Sequence, residues 1–430
     1  MSALMPTTAR RDYDTQAWRD LHWLLNSPSL VEELAGYGAA EFTPTQAAAI
    51  HHWLKQEARE PRLLTNDFAT TYRRLGLYAE SLLRLALEHS AQTELLLQHF
   101  PLQEDLACAS DSQQSTDHAD NQLKQVGCKP AHEEISTEPQ HDKQHKAKHK
   151  NKGKRTIGEL DYVWRDTLSG EVHHWELAVK LYLYIPPNFP PERPIQLLPS
   201  KSSRVELSKT ELSATQASPV ELSEIILSGS GTSDFQVSIE AASILTPLDR
   251  FVGTQRIDTL YRKLNHLQER QLPLAQHPQV RATLQQEIHQ SAYYIKGWLF
   301  YPLRPQHAED WSSYYLPESQ VSALLNPHHL RGWWLLQDEF EQHLAQQEQA
   351  NQPWRWKILP RLQWLSPHRC AYAETLTGTK LWETIQENWT FFKEKEETPQ
   401  PQLVVALQED KQTSGQWHEV HRGFVVPSEW

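Results

Sequence analysis

Glu159, Asp161, Glu176 and Lys180 sit on two stretches of alternating sequence. They are the side-chain types that metal-dependent cleavage of a phosphodiester requires. Carboxylates hold a hard cation, and an ammonium orients water or neutralises charge as it develops. Two strands of one hairpin would position them. Along residues 172–184, Trp175, Leu177, Val179, Leu181 and Leu183 alternate with His174, Glu176, Ala178, Lys180 and Tyr182, the period of two of a half-buried strand. Along 157–166, Leu160, Tyr162 and Trp164 alternate with Glu159, Asp161 and Val163, so the two carboxylates of this strand share its other face.

The stretch Asp166-Thr-Leu-Ser-Gly-Glu171 has turn composition, and a two-residue or a four-residue loop there gives the same pairing. Asp161 then lies opposite Glu176, Glu159 opposite Ala178, and Lys180 reaches Glu159 diagonally. Directly opposed side chains have Cβ atoms about 4.5–5.5 Å apart, and like charges so placed repel. A positive group is therefore expected between them, either a divalent cation or Lys180. The competing reading is a solvated sheet face on which Glu159 and Lys180 form an ordinary cross-strand ion pair worth under about 1 kcal/mol. The apolar strand behind the charges, flanked by tryptophans on both strands, favours a site.

These residues resemble a known pattern. Gly158-Glu-Leu-Asp161, followed by Glu176 and Lys180 on the next strand, looks like the PD-(D/E)XK nuclease superfamily. The surrounding wording is similar to an uncharacterised bacterial family assigned to that superfamily. The likeness extends to Arg19-Asp-Leu-His-Trp, Leu75-Gly-Leu-Tyr-Ala-Glu80, Lys263 to Gln271 and Asn326-Pro-His-His-Leu-Arg-Gly-Trp-Trp334. It implies an α/β (α+β) restriction-endonuclease-like fold on an αβββαβ core, with a mixed sheet flanked by helices. It also implies Mg²⁺ or Mn²⁺ as cofactor and DNA or RNA as partner. Asp161 matches the superfamily's first acid and Lys180 its lysine. The usual second acid stands two residues before the lysine, where this chain has Ala178. Glu176 is instead roughly 13 Å from Lys180 along the strand rather than about 6.6 Å. Glu159, opposite the small Ala178, is placed to fill that space, so Asp161, Glu176 and Glu159 form the expected metal set.

Further residues follow from helical spacing. Residues 69–89 carry Leu75, Tyr78, Ala79, Leu82, Leu85 and Ala86 as an apolar stripe, with Glu80 at its edge. The family's first helix directs such a glutamate to the metal, and a plain ion pair with Arg73 or Arg84 is the alternative. Residues 255–272 carry Ile257, Leu260, Tyr261, Leu264 and Leu267. Lys263 and Gln271 on this helix resemble polar positions able to contact a phosphate or a base, or form its wet face.

The chain has 430 residues, of which 39% are hydrophobic, enough for two or three domains. Its sequence divides into an N-terminal helical region (1–60), a nuclease-like core (61–272) and a Trp-rich module (273–430). The core is interrupted by a disordered insert (104–154) and a Pro/Ser-rich insert (186–245), on composition. Seven cations lie between Lys143 and Arg155, where a run of this kind is a solvated stretch or a guide for a phosphate backbone. Eleven of the 16 tryptophans follow residue 290, as core or as stacking platforms. His328 and His329 fall in a turn, where a satisfied structural histidine is the common case.

The net charge of −12 weakens indiscriminate nucleic-acid binding, which depends on phosphate neutralisation. Three cysteines, Cys108, Cys128 and Cys370, lack ligand spacing, which suits a reducing, cytoplasmic setting. No apolar run approaches a membrane span, and no Walker-type loop points to a nucleotide cofactor. A glycosidase reading fails because directly opposed carboxylates are too close for an inverting mechanism. The expectation is a metal-dependent nuclease, with a catalytically inactive protein that binds nucleic acid or protein as the alternative.

Overall fold

The computed structural model describes residues 15–34, 36–105, 154–187, 246–303, 311, 313–349, 354–411, 413 and 415–430. The expected inserts fall almost wholly outside these residues. Packing groups the chain into two compact units, 1–100 with 160–430, and 101–159. In the smaller one the end of the third strand and the start of the fourth are described, with Leu102 buried and Glu159 exposed.

The larger unit begins with α1 (Gln16–Asn26), whose start is fixed by the Thr15 hydroxyl accepting from the Trp18 N–H. A two-stranded ribbon, β1 (Glu33–Leu34) and β2 (Tyr37–Gly38), leads to α2 (Pro44–Arg59). Thr43 and Gln46 close a capping box at the start of α2. The expected helix over 69–89 is α3 (Leu75–His89), preceded by a 3₁₀ turn at Phe68–Thr71. Three long strands follow, β3 (Thr93–Asp105), β4 (Lys154–Asp166) and β5 (Val172–Tyr184). Then come β6 (Phe251–Gly253) and α4 (Leu260–His266). A π turn at Leu267–Gln271 and a 3₁₀ turn at Leu272–Gln276 lead to α5 (Pro278–Leu284) and β7 (Gln290–Pro302). The remaining elements are α6 (Ser319–Ser322), β8 (Leu330–Leu336), α7 (Gln337–Gln349), β9 (Arg355–Ile358), β10 (Arg369–Ala371), α8 (Gly378–Glu394), β11 (Gln402–Glu409) and β12 (Gln416–Val426).

The result is a mixed α/β fold with one large mixed sheet flanked by helices. The sheet runs β3-β4-β5-β7-β8-β12-β11-β9, with β6 added to β5 and β10 to β12. It continues through the boundary expected near residue 272, because β7 pairs in parallel with β5 on one side and β8 on the other. Sequence composition marks a change of character there, but hydrogen bonding does not.

The β4–β5 register is the one the turn chemistry predicts. Tyr162 faces Trp175, Val163 faces His174 and Arg165 faces Val172. The turn is the four-residue form. Asp166 N–H donates to the Glu171 carbonyl, the Asp166 side chain accepts from Leu168 and Ser169, and Gly170 takes the left-handed φ of 76°.

Both faces of β5 are covered, so the half-buried expectation does not hold. On one face Trp175, Leu177 and Leu183 pack with Tyr162, Trp164 and the apolar faces of α1, α2 and α3. On the other Ala178, Tyr182 and Tyr184 pack with Leu260, Leu264 and Leu267. A third cluster joins Trp333, Leu335, Val404 and Val425 to α7 and α8. Polar residues thus alternate into a buried layer. β5 and β7 approach closely at Lys180, which faces Gly297. A Cβ at Gly297 would collide with the Lys180 carbonyl, so glycine is required there.

Candidate active site

The site is built where β4 and β5 replace backbone pairing with side-chain bonds. The Asp161 N–H donates to Glu176 Oε1 at 3.3 Å, and the Leu177 N–H donates to Asp161 Oδ2 at 2.9 Å. Each acid is therefore anchored to the other's strand, and the two carboxylates share one rung of the sheet. Glu176 is fully buried. Its Oε1 also meets His174 Nε2 at 2.8 Å, and its Oε2 accepts from Gln271 Nε2 at 2.6 Å. Gln271 reaches it from the last residue of the π turn, and Gln271 Oε1 in turn accepts from Lys263 Nζ at 2.9 Å. A π turn widens the helix by one residue and often accompanies a functional side chain.

The charges are mutually strained. Burial pushes the Asp161 carboxyl up to about 7, and the Glu176 carboxylate opposite adds to the rise, against the Leu177 N–H, Lys263 and His99. Burial also lowers Lys263, reinforced by Lys180 and opposed by Glu176, Asp161 and Asp258. His174 is pushed down to about 4 by burial, so its imidazole is neutral. The positive group near the carboxylates is therefore Lys263 of α4, a residue the sequence suggested only for phosphate or base contact.

Lys180 points elsewhere. Its ammonium lies 2.5 Å from Asp258 Oδ2, which also accepts from the Tyr182 hydroxyl at 3.0 Å. The sequence placed Lys180 beside Glu159; the partner seen for its ammonium is Asp258. Asp258 lies in the loop before α4, with no periodicity to flag it. The Glu80 carboxylate is 3.5 Å from His99 Nε2, while Arg84 engages Glu88. The Glu80 carbonyl accepts from the Tyr162 hydroxyl at 2.6 Å. Glu159 is exposed on β4 in the smaller unit. Asp161, Glu176, Lys263 and Gln271 are thus brought together, with Lys180 and Asp258 as a neighbouring pair. His329 is satisfied structurally, between the Tyr301 hydroxyl at 2.8 Å and the Asn326 carbonyl at 2.5 Å.

His174 was not singled out by sequence. Its only signal was a place on the polar face, two residues before Glu176. Among the described residues no group of three or more His, Cys, Asp or Glu side chains is arranged to hold a metal. The fit of a hard cation rests on the two carboxylates alone. Mg²⁺ is commonly held by one or two carboxylates with water and phosphate completing the shell, and a cation would offset the Glu176 charge that adds to the burial-driven rise of Asp161.

No helix among the described residues is long and apolar enough to cross a membrane. Neither curated proteins nor solved structures give a significant match to the chain. The sequence profile of a domain of unknown function, DUF1853, matches residues 19–109, 146–216 and 238–426. Those segments contain Asp161, Glu176, Lys180, Asp258, Lys263 and Gln271, and the profile's two interruptions fall within the compositional inserts. With most of its length matched, the chain belongs to the DUF1853 family.

Proposed function

We propose that this protein is a metal-dependent nuclease that hydrolyses phosphodiesters of DNA or RNA at the Asp161–Glu176 pair. The observation that carries the reading is the buried adjacency of these two acids, in which burial first and the Glu176 carboxylate second lift Asp161 to about 7. Such a repulsion is retained where it has a use, and perturbed carboxylates concentrate at functional sites. The order α3, β3, β4, β5, α4, β7, with the short β6 before α4 and α5 after it, supports the αβββαβ core implied by the PD-(D/E)XK resemblance. Arg262, Lys263 and Arg270 on α4 and its π turn, together with Lys180, bring cations to this part of the acidic chain, offset in part by Asp258 and Glu269. Those cations suit a phosphate backbone.

A bound Mg²⁺ or Mn²⁺ would polarise the phosphoryl oxygen and acidify the attacking water. Asp161 and Glu176 supply its carboxylate oxygens. The proton released by the water would pass to solvent, because a carboxylate that holds the ion stays ionised. Lys263, lowered by burial, is suited to protonate the departing oxygen. Lys180, released from Asp258, neutralises phosphate charge. A non-cutting nuclease-fold binding protein is the second reading, favoured by Ala178 at the position of the usual acid.

Calorimetric titration of Mn²⁺ and Mg²⁺ into wild type and Asp161→Asn, paired with cleavage assays on single- and double-stranded DNA and RNA, tests the proposal. Metal binding lost in the variant, with metal-dependent cutting, is the expected result. Wild type that binds neither ion rejects the nuclease. Binding of nucleic acid without cutting supports the second reading.

A further inference from the structure

We propose that His174, backed by Ser291, is a positioning residue that fixes Glu176 as a cation ligand. This rests on the metal-site reading above. His174 and Glu176 are two residues apart on β5, share a face, and are both fully buried. Ser291 is the direct partner of His174 on the neighbouring parallel strand β7. Its hydroxyl lies 3.3 Å from His174 Nδ1, and His174 Nε2 lies 2.8 Å from Glu176 Oε1.

The proton arrangement follows from the partners. An ionised carboxylate only accepts, so His174 Nε2 carries the hydrogen and donates to Glu176. The neutral ring then has a lone pair at Nδ1, which accepts from the Ser291 hydroxyl. The carboxylate fixes this tautomer, and the Ser291 hydroxyl, able to donate, satisfies the other nitrogen and holds the ring in place. Asp161 N–H and Gln271 Nε2 supply two further donors, and the three together leave the carboxylate one orientation. A ligating carboxylate held in this way binds its ion without first being ordered, which is the effect of outer hydrogen bonds at metal sites.

Ser291 also lines a polar cavity of about 240 Å³, with Gln276, Gln286 and His289. Ser291→Ala removes only the hydroxyl that meets His174 Nδ1, which makes it the complementary variant to His174.

The test is Mn²⁺ affinity, followed by electron paramagnetic resonance of the free ion, in wild type, His174→Gln, His174→Leu, Ser291→Ala and Asp161→Asn. Circular dichroism checks that each variant is folded. His174→Leu is expected to bind Mn²⁺ roughly 10–100-fold more weakly. His174→Gln, which keeps an amide donor toward Glu176, should recover most of that loss, and Ser291→Ala should fall between. Asp161→Asn should abolish binding. If Asp161→Asn abolishes binding while folded His174→Leu and Ser291→Ala match wild type, the role given to His174 is overturned and the metal site stands. If His174→Leu does not fold, wild-type affinity in Ser291→Ala overturns the role by itself. If wild type binds no Mn²⁺, the metal site and the role given to His174 fall together.

Discussion

Two histidines of the same sheet, His174 on β5 and His421 on β12, are held in opposite ways. Each is kept neutral by burial, with pKa values pushed down to about 4 and about 3. His174 is bonded at both nitrogens, and one bond goes to a carboxylate. His421 lies in an aromatic nest, stacked on Trp311 with centroids 4.2 Å apart and flanked by Trp354 and Trp356. Its Nδ1 accepts from the Trp333 indole at 2.9 Å, and its Nε2 is buried without a partner among the described residues. One ring organises charge; the other fills space. The difference separates a region selected for electrostatics from one selected for packing, although both are rich in tryptophan and both are interior.

The largest effect is expected in the packing region. Trp333 is fully buried against Phe340 and Trp311, and Trp333→Ala should cost about 3–5 kcal/mol of stability, measured by urea denaturation. Mn²⁺ affinity of the folded fraction should not change. A coupled loss of affinity would erase the distinction drawn between the two regions.

Next is the pH response of the carboxylate pair. The folded Asp161 pKa, about 7, stands above its ordinary 3.8, so the folded protein binds this proton more tightly than the unfolded chain does. The stabilisation is complete below about pH 4 and is lost as pH rises through 7, roughly 2–4 kcal/mol in all. Asp161→Asn should flatten this part of the metal-free stability profile, as read from thermal melts between pH 4 and 8. An identical slope in the two proteins would show that the Asp161 carboxyl is not raised by its surroundings.

Smaller again is Lys180→Met. The Lys180–Asp258 pair is about one-third exposed, with side-chain accessibilities of 30% and 33%, and its loss should cost under about 1 kcal/mol. Nucleic-acid affinity should fall, by fluorescence anisotropy, with a shallower salt dependence. Unchanged affinity would remove Lys180 from the substrate path. The smallest effect belongs to Leu168, 71% exposed at the hairpin tip. Leu168→Ser should shift stability by no more than about 0.5 kcal/mol, and a larger shift in calorimetry would mean that the turn does more than connect β4 to β5.

Local rules were legible in the sequence wherever one element set its own geometry. Turn chemistry at Asp166 to Glu171 and strict alternation determined the β4–β5 register, and with it the opposition of Asp161 and Glu176. The stripe of α3 was equally plain, since packing on one side leaves a helical period. What escaped was decided by covering elements. His174 and Glu176 read as a solvated or active face, yet α4 and its turns bury them, and alternation alone does not report a second covered side. Asp258 belongs to a loop, so nothing in its spacing tied it to Lys180. The aromatic runs after residue 290 were readable as core. Their union with β5 in one sheet was not, because parallel pairing joins residues distant in sequence.

The π turn at Leu267–Gln271 sets the reach of Gln271. A single residue gained within an α-helix produces such a turn, and each residue of an ordinary helix corresponds to about 100° of rotation. Removing one residue between Leu267 and Gln271 would restore regular winding and carry the Gln271 amide about a quarter-turn away from Glu176. Relatives that lack the turn should also lack a glutamine able to reach this carboxylate.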